Sequence, residues 1–242
     1  MARRRKGSER TGRRDRIVEA ARVLFWEQGY ASTGMAQILE AADARSGSLY
    51  HFFPTKEDLL LAILDGYKRM LGPAVLEPVA ARVSDPIERV FGILDGYRRQ
   101  LVASGFTRGC PIGNLALEIS NAVPAARKRL AENFDLWRAA VADCFDRAKG
   151  RLPPGTDTDA LALFVLTTME GAVLLARTYR DPAPYDAAVS FLRDSIERLI
   201  TGGTRWDARP AVRRDHASSP SRGDRGHARR RKRPRRGPGR GA

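Results

Sequence analysis

Residues 33–56 read TGMAQILEAADARSGSLYHFFPTK, and the periodicity of this stretch decides the fold. Met35, Ile38, Leu39 and Ala42 recur at i, i+3, i+4 and i+7, which predicts a first helix with one apolar face. Asp43 falls where the chain must turn, and Asp tolerates left-handed backbone at modest cost. A second helix of about two turns follows from Arg45 to Phe52 or Phe53, with Leu49 and Phe53 facing inward. Its outward positions are Ser46, Gly47, Ser48, Tyr50 and His51. They are small and polar at the start, which allows close approach to base edges in a DNA groove.

The same residues carry a resemblance. The segment is similar to the helix-turn-helix of TetR-family transcriptional regulators, through Thr33, Ile38, Ala42, the run Gly47-Ser48-Leu49-Tyr50, then Phe53 and Lys56. The spacing from Leu49-Tyr50 to Lys56 is the most specific part, because it sets the second helix against the start of the next. Asp43, Leu39, Ala44 and Arg45 depart from the pattern. Arg45 matters most, since it gives up a side-chain N-cap and offers a phosphate contact instead. The resemblance implies DNA contacts from Thr33, Met35, Arg45, Ser46, Gly47, Ser48, Tyr50, His51 and Lys56. Tyr50 and Lys56 would hold phosphates, while Ser46, Ser48 and His51 face the bases.

The charge is consistent with a polyanionic partner. The chain of 242 residues carries a net +15, of which residues 1–16 hold +6 and residues 201–242 hold +11, leaving −2 for the remainder. The body is therefore nearly neutral and the basicity sits in two tails, suited to nucleic acid first and an anionic membrane second. A solubilising tail without a partner is the plain alternative. Cys110 and Cys144 are the only cysteines, which argues against a disulfide framework and for a reducing cytoplasm. No apolar segment follows the basic N-terminus as in a signal peptide. The longest apolar run, residues 160–176, is shorter than a span of about 20 residues and contains Thr167, Thr168, Glu170 and Gly171. We expect a cytoplasmic, nucleoid-associated protein with no membrane partner.

Along the chain, residues 1–10 read as a disordered basic arm and 11–71 as the helix-turn-helix domain. Within it, a first helix over 13–28 buries Ile17, Ala21, Leu24 and Phe25, and Gly29 stops it. Thr55 caps a linking helix that Gly72-Pro73 should end. Residues 74–201 then contain five helices and no strand, and 203–242 are a disordered Arg-rich tail. The expected class is all-α, a three-helix DNA-binding module joined by a helix to a C-terminal bundle. One echo, ILDGYKRML at 63–71 against ILDGYRRQL at 93–101, reads as a coincidence of two similar helix faces, since one pair makes no repeat architecture.

The helix from Thr158 is apolar nearly all round between Leu161 and Ala176, so both its faces need cover. A second subunit, also meeting the final helix with Ala188, Phe191, Leu192, Ser195 and Leu199, is the natural cover. A homodimer through the last two helices is also what the resemblance implies. Catalytic signatures are absent: His51, His216 and His227 are the only histidines, one in the reading helix and two in the tail. No catalytic residue, metal ligand or cofactor is assigned. Carboxylates such as Glu118 and Glu170 read as exposed helix charge.

The second domain instead reads as a chamber for a small-molecule inducer. Candidate lining residues are Phe91, Phe106, Cys110, Asn114, Phe134, Trp137 and Met169, with Phe145 and Val173 beside them. Plain core is the competing reading of that set. Cys110, in RGCPIGNLALE, is either packing or a thiol activated by Arg108 and the helix start, as in an electrophile-sensing subgroup of the family. The expected function is a sequence-specific repressor of a double-stranded DNA operator, released by a small-molecule inducer, with electrophiles among the candidates. The alternatives are an architectural nucleic-acid binder using its basic tails, or a ligand-binding enzyme or storage domain.

Overall fold

The computed structural model describes the backbone of residues 2–202 and the side chains of 12–47 and 49–202. Among the described residues ten α-helices run in order: α1 Ala2–Gln28, α2 Met35–Ala41, α3 Ser46–Phe52, α4 Lys56–Met70, α5 Glu77–Ala80, α6 Pro86–Ala103, α7 Pro111–Ile119, α8 Pro124–Arg147, α9 Thr158–Tyr179 and α10 Ala183–Ile200. No strand occurs among the described residues. Start signals follow the sequence. Thr55 caps α4 by accepting from the Asp58 amide at 3.1 Å, Asp85 caps α6, and Asp157 caps α9. Pro86, Pro111 and Pro124 open their helices at the position where a missing N–H costs nothing.

Two boundaries differ from the expectation. α1 begins at Ala2, not near residue 13, so the stretch expected as a disordered arm is helical backbone. Between positions 2 and 12 the chain has no proline, and Ala, Arg, Lys and Glu all favour helix. Gly72-Pro73 does not end the linking helix. The chain passes through a π-helical turn, Leu71–Leu76, and continues as α5. Pro73 has no N–H to give and its ring would crowd the carbonyl four residues back, and the wider turn accommodates both. The Arg-rich tail, 203–242, lies outside the described residues.

The apolar side chains form two clusters. One is built from α6, α8, α9 and α10. The other combines Ile17, Ala21 and Phe25 of α1 with Ile38, Leu49, Phe53 and the Leu59, Leu60, Ile63 and Leu64 face of α4. Leu115, Ile119, Ala126 and Leu130, from α7 and the start of α8, complete this second cluster. The N-terminal helices α1–α4 therefore have no closed core of their own. Each fully buried Leu or Ile contributes about 1.5–3 kcal/mol, so the three such residues from α7 and α8, with Ala126 beside them, are a sizeable share of the stability of α1–α4. Polar ties reinforce the joint: buried Asn133 Nδ2 donates to the Leu64 carbonyl at 3.1 Å, and Lys68 pairs with Glu132 at 2.7 Å. By its contacts the described chain is one compact unit, without a seam at 71–74.

α9 has the length and apolar composition of a bilayer-crossing helix, contrary to the length argument made from residues 160–176. Ala162, Val165, Leu166, Met169, Ala172, Val173 and Ala176 are buried against α8, α6 and α10. Packing, not length, separates this helix from a membrane span.

Candidate nucleic-acid interface and ligand chamber

Asp43 adopts the left-handed conformation expected of the turn, with φ 46°. Its amide donates to the Glu40 carbonyl and the Ala44 amide to the Leu39 carbonyl, which closes α2 and aims α3. Leu49 and Phe53 are buried, leaving Arg45, Ser46, Gly47, Tyr50 and His51 exposed on one side. Arg45 holds the N-cap position in extended backbone without a side-chain cap, so its guanidinium is not tied to the helix start. The Ser48 side chain lies outside the described residues.

Three residues expected at DNA are engaged in the fold. Thr33 is buried; its hydroxyl donates to the Gly29 carbonyl at 2.7 Å and accepts from Gln28 Nε2 at 3.1 Å. A β-branched hydroxyl beside the left-handed Gly29 (φ 90°) serves to fix the turn between α1 and α2. Met35 is half-buried against the shared core, because the i, i+3 spacing to Ile38 puts both on the inner face. The Lys56 ammonium donates to the Tyr30 carbonyl and stands 4.2 Å from the Tyr30 ring centroid. Burial lowers its pKa, with Glu118 acting in the opposite direction. Lys56 thus staples the end of α1 to the start of α4.

A latch joins this module to the helical body. The Glu118 carboxylate on α7, expected as exposed charge, accepts from the Tyr30 amide at 2.8 Å and the Ala31 amide at 2.5 Å. Trp26 Nε1 donates to the Gly109 carbonyl at 2.8 Å, and Arg108 pairs with Glu27. The loop before α7 and α7 itself therefore grip the C-terminal end of α1 through three contacts, each about 80–90 residues apart in sequence.

The same loop walls a cavity of about 290 Å³, where Cys110, Pro111 and Ile112 face α4, α6, α8 and α9. Of the expected lining residues, Cys110, Phe134 and Trp137 are brought together here. The others are placed elsewhere. Phe91 packs in the core under the Arg193 guanidinium, 3.8 Å from its ring centroid, and Met169, Phe145 and Val173 are plain core. Phe106 takes a left-handed turn (φ 63°) after α6, and Asn114 accepts from Arg177 at 2.6 Å.

Sequence reading missed Trp26, Tyr67, Tyr97, Gln100 and Glu170 in the wall. A signal was present. The echo at 63–71 and 93–101 places Tyr67, Met70 and Leu71 on one wall and Ile93, Gly96, Tyr97 and Gln100 on another. Residues of both segments line the one cavity. Burial raises the Tyr67 hydroxyl to about 12 and the Tyr97 hydroxyl well above its usual value. The Tyr97 hydroxyl lies near the Trp137 indole without normal hydrogen-bond geometry, and Trp137 Nε1 and Glu170 Oε1 are buried without partners.

Cys110 does not sit as an activated thiol. It is 4% exposed, and its sulfur accepts weakly from the Gly113 amide at 3.4 Å as the N-cap of α7. Burial pushes the thiol well up and the neighbouring Glu170 carboxylate adds to this, while Arg108 is engaged by Glu27. At neutral pH the group is a thiol, and the thiolate forms only as pH rises beyond the elevated pKa. Alkylation of Cys110 by iodoacetamide near neutral pH is expected to be about tenfold or more slower than that of a free cysteine. Cys110→Ser should keep operator binding. Fast alkylation of the wild type would show that the buried geometry does not hold in solution.

A reading helix on a turn-braced pair, fused to a helical body that encloses a chamber, defines the class of helix-turn-helix transcriptional regulators. Residues 17–63 match the family described as bacterial regulatory proteins, tetR family. Residues 86–190 match the LmrA/YxaF-like transcriptional regulator C-terminal domain. An uncharacterized HTH-type transcriptional regulator of Mycobacterium tuberculosis is 34% identical over 193 residues, covering 76% of this chain and 94% of that protein. The transcriptional regulator AcuR of Cereibacter sphaeroides is 31% identical, over 76% of this chain and 84% of its own length. The crystal structure of a TetR transcriptional regulator from Chloroflexus aurantiacus aligns with a TM-score of 0.67 at 33% identity, covering 81% of this chain and 98% of that one. The chain belongs to the TetR family of transcriptional regulators.

Proposed function

We propose that this protein is a sequence-specific repressor released from its operator by a small molecule entering the cavity. One observation carries the reading: the segment 108–112 both walls the cavity and holds Trp26 and Glu27 of α1. A ligand that displaces this segment by a fraction of an ångström acts directly on the helix that backs the reading pair, so the ligand has a differential contact with two states. The working unit is a homodimer through α9 and α10. Leu163, Phe164, Leu174 and Leu175 of α9 and Phe191 of α10 are exposed, an apolar surface that a second copy would cover.

DNA contacts fall to Arg45, Ser46, Gly47, Tyr50 and His51, with Ser48 by position on the same helix. Footprinting on the DNA flanking its own gene identifies the operator, and titration against operator and scrambled duplex sorts the contacts. Arg45→Ala and Tyr50→Phe should weaken both duplexes alike, about fivefold each for ~1 kcal/mol of lost phosphate hydrogen bonding. His51→Ala should change which sequence is preferred. Loss confined to the operator in Tyr50→Phe would reverse this sorting. Lys56→Ala should mainly lower stability, by about 1 kcal/mol, since its ammonium serves the Tyr30 carbonyl.

The basic tail is proposed to add contacts to phosphates beyond the operator, each contributing about −0.9 to the log–log salt slope. An unchanged slope in a chain truncated at Gly203 would remove the tail from the interface. Equal affinity for operator and scrambled DNA would favour the architectural-binder reading.

A further inference from the structure

The release scheme makes no use of Glu170, yet this residue has a built seat in the chamber wall. It lies mid-way along α9, with its carboxylate packed on Gly113 of α7; a Cβ at position 113 would overlap it. The Cys110 sulfur is beside it. Oε1 is closed off from solvent and has no hydrogen-bond partner. Burial raises its pKa, the neighbouring Cys110 thiol acts in the opposite direction, and no cation of the described residues is paired with it. A carboxylate held this way is destabilised by the missing counter-charge, so a positively charged ligand would gain what the protein withholds.

The aromatic part of the remaining lining favours the same chemistry. Tyr67, Tyr97, Phe134 and Trp137 present aromatic rings, and a ring face attracts a desolvated cation. The lining arginines with carboxylate partners are engaged by them: Arg22 pairs with Glu19 at 2.5 Å, and Arg99 pairs with Asp95. Arg82 donates to the Pro78 carbonyl. An anionic ligand would meet Glu170 with no cation placed to receive it there. A neutral one would leave Oε1 as uncompensated as it is now. The volume, about 290 Å³, limits the occupant to a compact molecule.

We propose that the chamber takes a compact aromatic amine in its protonated form, the ammonium on Glu170 and the ring among Tyr97, Phe134 and Trp137. This rests on the cavity being the inducer chamber.

Three probes with one ring separate the possibilities: phenethylamine, phenethyl alcohol and phenylacetate, titrated into the full chain and followed by tryptophan fluorescence and calorimetry. Near neutral pH the amine should bind at least about tenfold more tightly than the alcohol, and phenylacetate more weakly than both. Glu170→Gln should remove the preference by weakening the amine about tenfold or more and leaving the alcohol unchanged. Glu170→Asp, which keeps the charge on a shorter arm, should retain part of it. An alkylammonium stays charged to about pH 10, so amine affinity should rise with pH as Glu170 loses its proton, while the alcohol shows no such trend. Circular dichroism and operator binding establish that each variant is folded. Alcohol binding as tight as amine, or amine binding indifferent to Glu170→Gln, overturns the ligand class and leaves the chamber reading standing. Binding by none of the three, with no release from operator, overturns both.

Discussion

Leu175→Arg and Phe191→Glu are expected to convert the protein to a folded monomer and to weaken operator binding about a hundredfold or more. Both side chains stand on the outer faces of α9 and α10, 47% and 68% exposed in the single chain, with Leu163, Phe164 and Leu174 around them. Their inner neighbours, Val173, Ala176 and Leu192, are buried, so the substitutions leave the subunit core intact. In a two-fold dimer each substitution enters twice, and a charge buried without a partner costs several kcal/mol. The loss in operator binding follows because two reading helices held at a fixed separation bind two half-sites as one event, whereas free monomers bind them separately. Sedimentation and circular dichroism of the variants check the first part, and operator titration the second. A wild-type protein that is a folded monomer at micromolar concentration would remove the basis of the prediction.

The second large effect is expected from opening the latch. Glu118→Ala combined with Trp26→Phe removes the acceptor for the Tyr30 and Ala31 amides and the donor to the Gly109 carbonyl. Hydrogen bonds to charged groups contribute about 1.5–3 kcal/mol, and the exposure of the Glu118 pair places its share at the lower end. A total near 3 kcal/mol would lower Tm by roughly 6–12 °C for a chain of this size. The functional consequence is the sharper test. Chamber occupancy, read by calorimetry because Trp26 itself lines the wall, should fall only slightly with phenylalanine in its place, while release of operator by ligand falls about tenfold, because movement of segment 108–112 no longer reaches α1. Full release by the double variant would show that coupling runs instead through the α4–α8 joint, where Asn133 and Leu64 meet.

The reading pair was legible because its determinants are local. The i, i+3, i+4 spacing of Met35, Ile38 and Leu39, the turn at Asp43 and the inward pair Leu49 and Phe53 each act within a few residues, and all are found as expected. The five later helices were legible for the same reason, with Pro86 and Pro124 marking two of their starts, while α7 begins at Pro111 in a stretch rich in helix breakers. Their apolar stripes indicate burial without naming the partner. Thus Phe91 and Met169 were correctly apolar yet belong to core, while Phe134 and Trp137 reach the cavity.

The sequence by itself determined an all-helical chain, the position of the turn that aims α3, the inward faces of the helices and the concentration of positive charge in the two ends. Each of these follows from periodicity, capping chemistry or composition, which operate along the chain. Only the tertiary structure decided what the charged and polar side chains do. Glu118 became the acceptor for the α1–α2 turn, Lys56 a staple to Tyr30, Thr33 a buried turn brace and Glu170 an unpaired acid in the chamber wall. It also turned the echo of 63–71 and 93–101 into two walls of one cavity. A carboxylate, an ammonium or a hydroxyl carries no periodic signature of its partner. Its role is set by which backbone amide or ring the packing of distant helices brings within about 3 Å.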